Sequence, residues 1–184
     1  MHRRRLSGDQ SPPLYSAEFE SRTVSGERWT QRRAEAVLVM NPILLVEDDE
    51  NDALLIQRAF SKSNLAHPLR VLTDGEEAIS YLNGIGQYLD REQFPLPALL
   101  LLDLKLPKRS GMEVLAWLRQ QPILARLPVV ILTSSRQGAD INRVYDLGAN
   151  SYLVKPVAFD ALLEMIKTVS LYWLILNEKP DLNS

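Results

Sequence analysis

The sequence predicts an α/β fold, a doubly wound sheet of five parallel strands in the order 2-1-3-4-5. Short apolar runs alternate with stretches of helical periodicity from Pro42 onward, which is typical of right-handed βαβ units. The run Leu99–Leu102 leads directly into Asp103. A continuous apolar run of this kind indicates a strand that is buried on both faces of a parallel sheet.

Composition limits the possible functions. The chain has 184 residues, 46% of them hydrophobic, enough for one domain with extensions. It has no cysteine and only His2 and His67, which excludes disulfides, thiolate catalysis and a multi-histidine metal site. The net charge of −2 gives no indication of a nucleic-acid partner. No apolar run is long enough to span a membrane, and no signal-peptide core follows Arg3–Arg5, so we expect a cytoplasmic protein.

Residues 1–39 differ in composition from the rest of the chain. They contain seven arginines, five acidic residues and Pro12-Pro13, without sustained apolar periodicity before Val37. This composition predicts a disordered extension. Met40 opens the ordered part of the sequence, and we expect it to be the natural start.

The predicted elements lie within residues 40–177. Strands are expected at 43–46, 69–72, 98–102, 128–132 and 151–154. Helices are expected at about 51–62, 76–82, 111–120, 138–147 and 158–170, with an apolar extension to 176 and a polar tail at 178–184. Asn51 or Asp52 can cap the first helix. The first, third and fourth strands are the most apolar, which predicts that they are central.

Chemically distinctive side chains follow four of these strands. The first strand ends in Glu47 and Asp48, the third in Asp103, the fourth in Thr133 and the fifth in Lys155. In a parallel sheet these ends meet at one edge, where ligands bind. The carboxylates would repel one another without a cation, and an oxygen-only ligand set suits Mg²⁺. The hydroxyl and the ammonium suit phosphoryl oxygens, so the site is predicted to accept and hold a phosphoryl group.

Each of these residues has a simpler explanation when it is taken alone. Acidic residues after a strand often cap helices, a threonine there is often a turn residue, and a Lys-Pro pair is usually at the surface. The prediction depends on their joint placement at successive strand ends.

Four segments resemble the receiver domains of two-component response regulators. They are Leu45–Asp49, Leu101–Pro107, Ile131–Ser134 and Tyr152–Pro156. The resemblance covers about 40–177 in the correct order and implies a flavodoxin-like, CheY-like fold. It implies that a histidine kinase phosphorylates Asp103. The chain would then be a phosphoacceptor signalling protein rather than an enzyme, with only self-catalysed phosphotransfer and slow autodephosphorylation.

The resemblance also assigns the metal ligands. Asp48 and Asp103 would bind Mg²⁺ directly, Lys105 would contribute its backbone carbonyl, and Glu47 would act through water. Asp49 falls one position past the acidic pair, so we expect a capping or solvent-exposed role for it.

The remaining matches concern the response to phosphorylation. Thr133 and Lys155 match the residues that contact phosphoryl oxygens, and Tyr152 matches the aromatic switch that moves inward with the threonine. The alternative for Tyr152 is an ordinary half-buried strand tyrosine. The family also implies a cis peptide bond before Pro156.

Three further segments indicate which subgroup of receiver domains the chain resembles. The connection 83–97 is longer than in the minimal chemotaxis-type receiver, and it occurs together with Leu106–Gly111 and the apolar extension 171–176. These features resemble the single-domain regulators that are paired with bacterial phytochrome kinases. We expect a homodimer through the fourth helix, the fifth strand, the fifth helix and residues 171–176; alternatively, the extension packs only on its own domain. No helix-turn-helix candidate follows residue 177, so DNA binding is not expected.

Other functions remain as alternatives. The chain could be a general chemotaxis-type receiver or a phosphorelay intermediate for a different kinase. A phosphohydrolase of the haloacid dehalogenase type would place a second aspartate where Lys105 stands. A nucleotide switch would need a phosphate-binding Gly-rich loop, which no strand precedes. An unphosphorylated scaffold of the same fold would not need the full set of strand-end residues.

Overall fold

The computed structural model describes residues 40–63 and 65–182. The predicted disordered extension at 1–39 lies outside the described residues and stays a prediction. The described chain forms five strands: β1 (Ile43–Val46), β2 (Leu69–Leu72), β3 (Leu99–Leu102), β4 (Val129–Thr133) and β5 (Ser151–Val154). The helices are α1 (Glu50–Lys62), α2 (Gly75–Asn83), α3 (Gly111–Arg119), α4 (Gly138–Asp146) and α5 (Phe159–Ser170). Short 3₁₀ turns lie at Gly86–Tyr88 and Leu124–Arg126.

The strands form one parallel sheet in the order β2-β1-β3-β4-β5. This confirms the predicted fold and strand order. Every residue of β1, β3 and β4 is buried, whereas β2 and β5 at the two edges are only partly covered. The three most apolar strands are therefore the central ones, as both-face burial requires.

The leucines of β3 divide the interior into two layers. Leu100 and Leu102 pack on the face that also buries residues of α2, α3 and α4. Leu99 and Leu101 pack on the opposite face with residues of α1 and α5. Successive strand side chains point to opposite faces, so a run of four leucines supplies both layers at once. This burial fixes the position of the strand end that carries Asp103.

Asp49 caps α1, which confirms the capping role expected for it, whereas the alternative caps Asn51 and Asp52 are wrong. Its Oδ1 accepts hydrogen bonds from the backbone N–H groups of Asn51 (2.9 Å) and Asp52 (3.0 Å). A cap residue adopts extended backbone geometry and binds the free N–H groups of the first turn. Asp49 satisfies both conditions, so Asp52 falls inside the helix, where its side chain is available for other contacts.

The described chain contains no cis peptide bond, so the expected cis bond before Pro156 is wrong for this structure. The trans form of an X–Pro bond is intrinsically favoured by about 0.5–1 kcal/mol. The Lys155 amide still donates to the Thr133 carbonyl (2.9 Å). The chain therefore continues the sheet by one residue before it turns toward α5.

The end of the chain packs back onto the domain. After α5 the backbone continues as a π-helix, Leu171–Leu176. Beyond it, Leu182 is buried with the layer that contains Leu100, and Arg126 donates to the Asp181 carbonyl (3.2 Å). No helix in the described part of the chain has the length and apolar character needed to cross a membrane.

Candidate functional site

The sheet ladder continues for one residue past three of the strand ends. The Glu47 amide donates to Leu72, and the Asp103 amide donates to Val46 (2.9 and 3.0 Å). The Lys155 amide donates to Thr133 in the same way. These bonds hold the backbones of the predicted site residues in the sheet, so their side chains project from its carboxyl edge in a fixed arrangement.

Asp103 lies at the centre of this edge and is only 5% exposed. Its Oδ2 accepts a hydrogen bond from the backbone N–H of Lys105 (3.2 Å). Its Oδ1 is buried and has no hydrogen-bond partner. A buried carboxylate oxygen without a partner is costly, so this oxygen is poised to bind a cation or to form a new bond.

Three carboxylates converge at the same place. One oxygen from each of Glu47, Asp48 and Asp103 lies within 4.8 Å of the other two. Asp48 is exposed, while Glu47 and Asp103 are buried, so the cluster opens toward solvent on one side. Hard oxygen ligands in this number, with room for water, fit a divalent cation such as Mg²⁺.

Lys155 supplies the positive charge beside this cluster. Its ammonium Nζ donates to Glu47 Oε2 (2.5 Å) and to Asp52 Oδ2 (2.8 Å), and it lies 3.9 Å from Asp103 Oδ1. The Lys155 side chain is only 9% exposed. One buried ammonium therefore lies within 4 Å of three carboxylates, and its longest contact is with Asp103.

Burial and charge shift the pKa values of Glu47 and Lys155. Desolvation is the largest influence on Glu47 and raises its pKa to about 7, with the neighbouring carboxylates of Asp103 and Asp52 acting in the same direction against the Lys155 contact. Desolvation alone would lower the pKa of Lys155, but its bonds to Asp52 and Glu47 raise it. Lys155 is therefore charged at neutral pH, whereas Glu47 without a metal holds a proton more readily than an ordinary glutamate.

Thr133 and Tyr152 flank the loop that follows β4. Thr133 is buried, and its Oγ1 accepts a hydrogen bond from the Ser135 backbone N–H (3.4 Å). The Tyr152 hydroxyl donates to the Ser135 carbonyl (3.0 Å), and the Ser135 hydroxyl donates to Asp140 Oδ2 (2.8 Å). Ser135 thus connects both predicted switch residues with α4.

The loop after Asp103 is braced against the start of α2. Lys108 Nζ pairs with Asp74 Oδ2 (2.5 Å), and Arg109 Nε pairs with Glu76 Oε2 (2.9 Å). Lys108 has a positive φ of 62°, a conformation that is uncommon for a residue other than glycine. The brace therefore maintains a strained loop beside the site.

Every predicted site residue lies at or next to this edge, and Asp52 is the functional candidate that sequence reasoning missed. Its place in the sequence predicts only a possible cap of α1. Its position in the first turn of the helix that follows the acidic pair is the signal that could have identified it. Lys105, predicted to offer its carbonyl, contacts Asp103 through its backbone N–H instead; its carbonyl remains a predicted ligand.

Comparison with known proteins agrees with this description. The family described as response regulator receiver domain matches residues 43–167. The response regulator Rcp1 of Synechocystis sp. is 42% identical over 132 residues, which cover 72% of this chain and 88% of Rcp1.

Two solved structures are similar throughout the described domain. The phosphorylated cyanobacterial phytochrome response regulator RcpA superposes with a TM-score of 0.72 at 39% identity, covering 77% of this chain and 99% of RcpA. The Mn²⁺-bound form of Rcp1 gives a TM-score of 0.69 at 40% identity, covering 77% of this chain and 99% of the Rcp1 chain. The family match spans most of the chain, and the chain belongs to the response regulator receiver family.

Proposed function

We propose that Asp103 accepts a phosphoryl group from the phosphohistidine of a histidine kinase. The observation that carries this proposal is the buried, unpartnered Oδ1 of Asp103 beside a lysine ammonium and two further carboxylates. In the transfer, a carboxylate oxygen of Asp103 forms a bond to phosphorus as the bond between phosphorus and the donor nitrogen breaks. The imidazole of the donor is left with the electron pair.

The chain's own residues are suited to receive that group. The Thr133 hydroxyl and the Lys155 ammonium are donors, and phosphoryl oxygens are strong acceptors. Asp48 and Asp103 would hold Mg²⁺ directly, together with the Lys105 carbonyl, and Glu47 would contribute through water. The ion would neutralise the charge that develops on the phosphoryl oxygens. The donor set, all oxygen and partly open to solvent, supports this choice, and the related Rcp1 has been solved with Mn²⁺.

The phosphoryl group would change the surface formed by α4, β5 and α5. Its oxygens would compete with the Ser135 amide for the Thr133 hydroxyl, and Thr133 and Tyr152 meet at Ser135. A shift of Thr133 toward Asp103 would therefore alter the loop that Tyr152 holds. This is a population shift between two arrangements of one loop.

A bacterial phytochrome is the kinase that we propose as the partner. Rcp1 and RcpA match nearly the whole described domain, and RcpA is described as a phytochrome response regulator. A kinase of this kind makes its phosphohistidine from ATP, so we infer a cytoplasmic location. A chemotaxis-type or phosphorelay partner remains the alternative. A phosphohydrolase is disfavoured because Lys105 occupies the position where a second catalytic aspartate would stand.

We also propose a homodimer through α4, β5, α5 and the π-helix. Leu174 packs into the domain, whereas Leu171, Tyr172, Ile175 and Leu176 are between 49% and 66% exposed. Four large apolar side chains on one short segment form the kind of patch that marks an interface. The patch continues α5, which already belongs to the expected switching surface, so a second copy of this chain is the occupant that fits best.

The phosphoacceptor proposal is tested by incubation with acetyl phosphate and Mg²⁺, followed by intact mass measurement. The wild type should gain one phosphoryl group, and Asp103→Asn should gain none. Asp160→Asn is the matched control, because it makes the same change at an exposed aspartate in the first turn of α5. Equal modification of the wild type and Asp103→Asn would overturn the assignment.

The choice of kinase is tested by transfer from purified, phosphorylated histidine kinases of the source organism. We expect the fastest transfer from a phytochrome kinase. Faster transfer from a kinase of another class would favour the alternative partner.

A further inference from the structure

Asp52 is the unexpected ligand of the site lysine. Its Oδ2 lies 2.8 Å from Lys155 Nζ, more than 1 Å closer than Asp103 Oδ1 at 3.9 Å. Asp52 is not part of the acidic cluster formed by Glu47, Asp48 and Asp103. Among the described residues, its direct contact with the site is the ion pair with Lys155, and its charge also acts on Glu47.

The fold explains why Asp52 can reach the lysine. Asp49 already binds the N–H groups at the start of α1, including that of Asp52 itself. The Asp52 carboxylate is therefore not needed as a cap. It projects from the first turn of α1 toward the end of β5, where Lys155 stands.

The partners of Lys155 differ in how easily they can release it. The Glu47 side chain is 1% exposed, whereas that of Asp52 is 37% exposed. A buried carboxylate that loses its counter-charge remains desolvated, which is costly. A carboxylate that already contacts water is rehydrated when its partner leaves, and such pairs contribute little. Loss of the Asp52 contact therefore costs Lys155 less free energy than loss of the Glu47 contact.

Phosphorylation would favour this exchange. A phosphoryl group carries roughly −1.5 to −2 charges and three acceptor oxygens, and on Asp103 it would compete for the same ammonium. Lys155 Nζ lies 2.8 Å from Asp52 Oδ2 and 3.9 Å from Asp103 Oδ1, so Asp52 would compete with a phosphoryl group on Asp103 for the ammonium.

We propose that Asp52 is a positioning residue that holds Lys155 away from the phosphoacceptor until a phosphoryl group draws the ammonium across. Asp52 thereby opposes uptake of the phosphoryl group, since its contact exists only in the unphosphorylated arrangement. This role rests on the proposed function of Asp103.

The test measures binding of beryllofluoride, a phosphoryl analogue that adds to a carboxylate oxygen, at saturating Mg²⁺. Asp52→Asn keeps the shape of the side chain and removes its charge. We expect its affinity for beryllofluoride to rise about two- to fivefold, as for the loss of one part-exposed ion pair. The rate of phosphorylation by acetyl phosphate, followed by intact mass, should rise in the same direction.

A matched variant separates the lysine contact from a general charge effect. Glu50→Gln removes one negative charge from the same turn of α1, and Glu50 makes no ion pair within the described structure. It should leave the affinity close to that of the wild type. An equal rise in Glu50→Gln and Asp52→Asn would overturn the proposal.

A second comparison requires the effect to pass through Lys155. In a Lys155→Met background, the added Asp52→Asn change should alter neither beryllofluoride affinity nor the slow phosphorylation rate. In the chain that keeps Lys155, Asp52→Glu restores the charge and should return the beryllofluoride affinity toward the wild-type value. A persistent effect of Asp52→Asn without the lysine would contradict the positioning role.

The same experiment distinguishes this proposal from the proposed function. If the wild type and Asp103→Asn behave alike, Asp103 is not the acceptor. If only Asp103→Asn fails to respond and Asp52→Asn matches the wild type, the acceptor assignment stands and the role of Asp52 is wrong.

Discussion

Gly111, the first residue of α3, lies directly against the backbone carbonyl of Asp103. A Cβ atom built on Gly111 would stand 2.0 Å from that carbonyl oxygen. The obstacle is backbone rather than a flexible side chain, so it cannot move aside without shifting the backbone that follows β3.

We therefore expect Gly111→Ala to lower the free energy of unfolding by about 1–3 kcal/mol, the usual cost of forcing extra volume into a packed site. Urea denaturation measures this loss in the free energy of unfolding. Gly138→Ala is the control, because Gly138 also starts a helix but a Cβ there meets nothing within 4 Å. That control should be neutral or slightly stabilising. Equal losses in the two variants would show that the close approach to Asp103 is not responsible.

The pKa of Glu47 makes the stability of the metal-free protein depend on pH. Burial raises this pKa from 4.5 to about 7 in the folded state, so the folded chain binds a proton that the unfolded chain has released between these values. The stabilising contribution is fully present below about pH 4.5 and is lost as the pH rises through about 7.

Urea denaturation in a chelator at pH 5.5 to 8.5 tests this. The free energy of unfolding should depend less on pH in Glu47→Gln than in the wild type. Added Mg²⁺ should stabilise the wild type more at the upper end of the pH range. Identical slopes for the wild type and Glu47→Gln would contradict the expected linkage.

Removal of the Tyr152 hydroxyl should loosen the loop after β4. Tyr152→Phe loses the bond to the Ser135 carbonyl, for which we expect a cost of about 0.5–1.5 kcal/mol. Amide hydrogen exchange should accelerate at residues 134–137, while Tyr145→Phe, at a half-exposed tyrosine of α4, should leave it unchanged. Unaltered exchange in Tyr152→Phe would show that this bond does not hold the loop.

A charge on the π-helix should separate the proposed dimer. Ile175→Asp introduces a carboxylate at a side chain that is 66% exposed, and burial of an unpaired charge in an interface is strongly unfavourable. Sedimentation should show a dimer for the wild type and a monomer for the variant. Leu89→Asp, at a side chain that is 72% exposed in the connection before β3, should remain dimeric. A wild type that stays monomeric at high concentration, phosphorylated or not, would remove the dimer proposal.

The fold and most of the site could be predicted because strong, local signals specify them. Apolar runs without polar interruption gave β1, β3 and β4, and the residues that follow them share one edge in any parallel sheet. The contact between Asp52 and Lys155 could not be predicted in this way. It depends on how α1 packs beside the end of β5, which is a tertiary relationship between residues far apart in sequence.

Other features could not be predicted from the sequence for related physical reasons. Asp49, Asn51 and Asp52 are all acceptable caps by residue type, and only backbone geometry selects Asp49. Leu182 is a single apolar residue in a polar tail, so no periodicity marks its burial. The bond before Pro156 is trans, although the family resemblance implied cis.

The brace between the loop after Asp103 and the start of α2 has a consequence for protein engineering. Its two ion pairs, Lys108 with Asp74 and Arg109 with Glu76, join segments that are more than thirty residues apart in the chain. A chimera that receives residues 103–111 without 74–76 would contain the loop after Asp103 but not the residues that anchor it. These segments should be exchanged as one unit, and their charges should covary among homologous sequences.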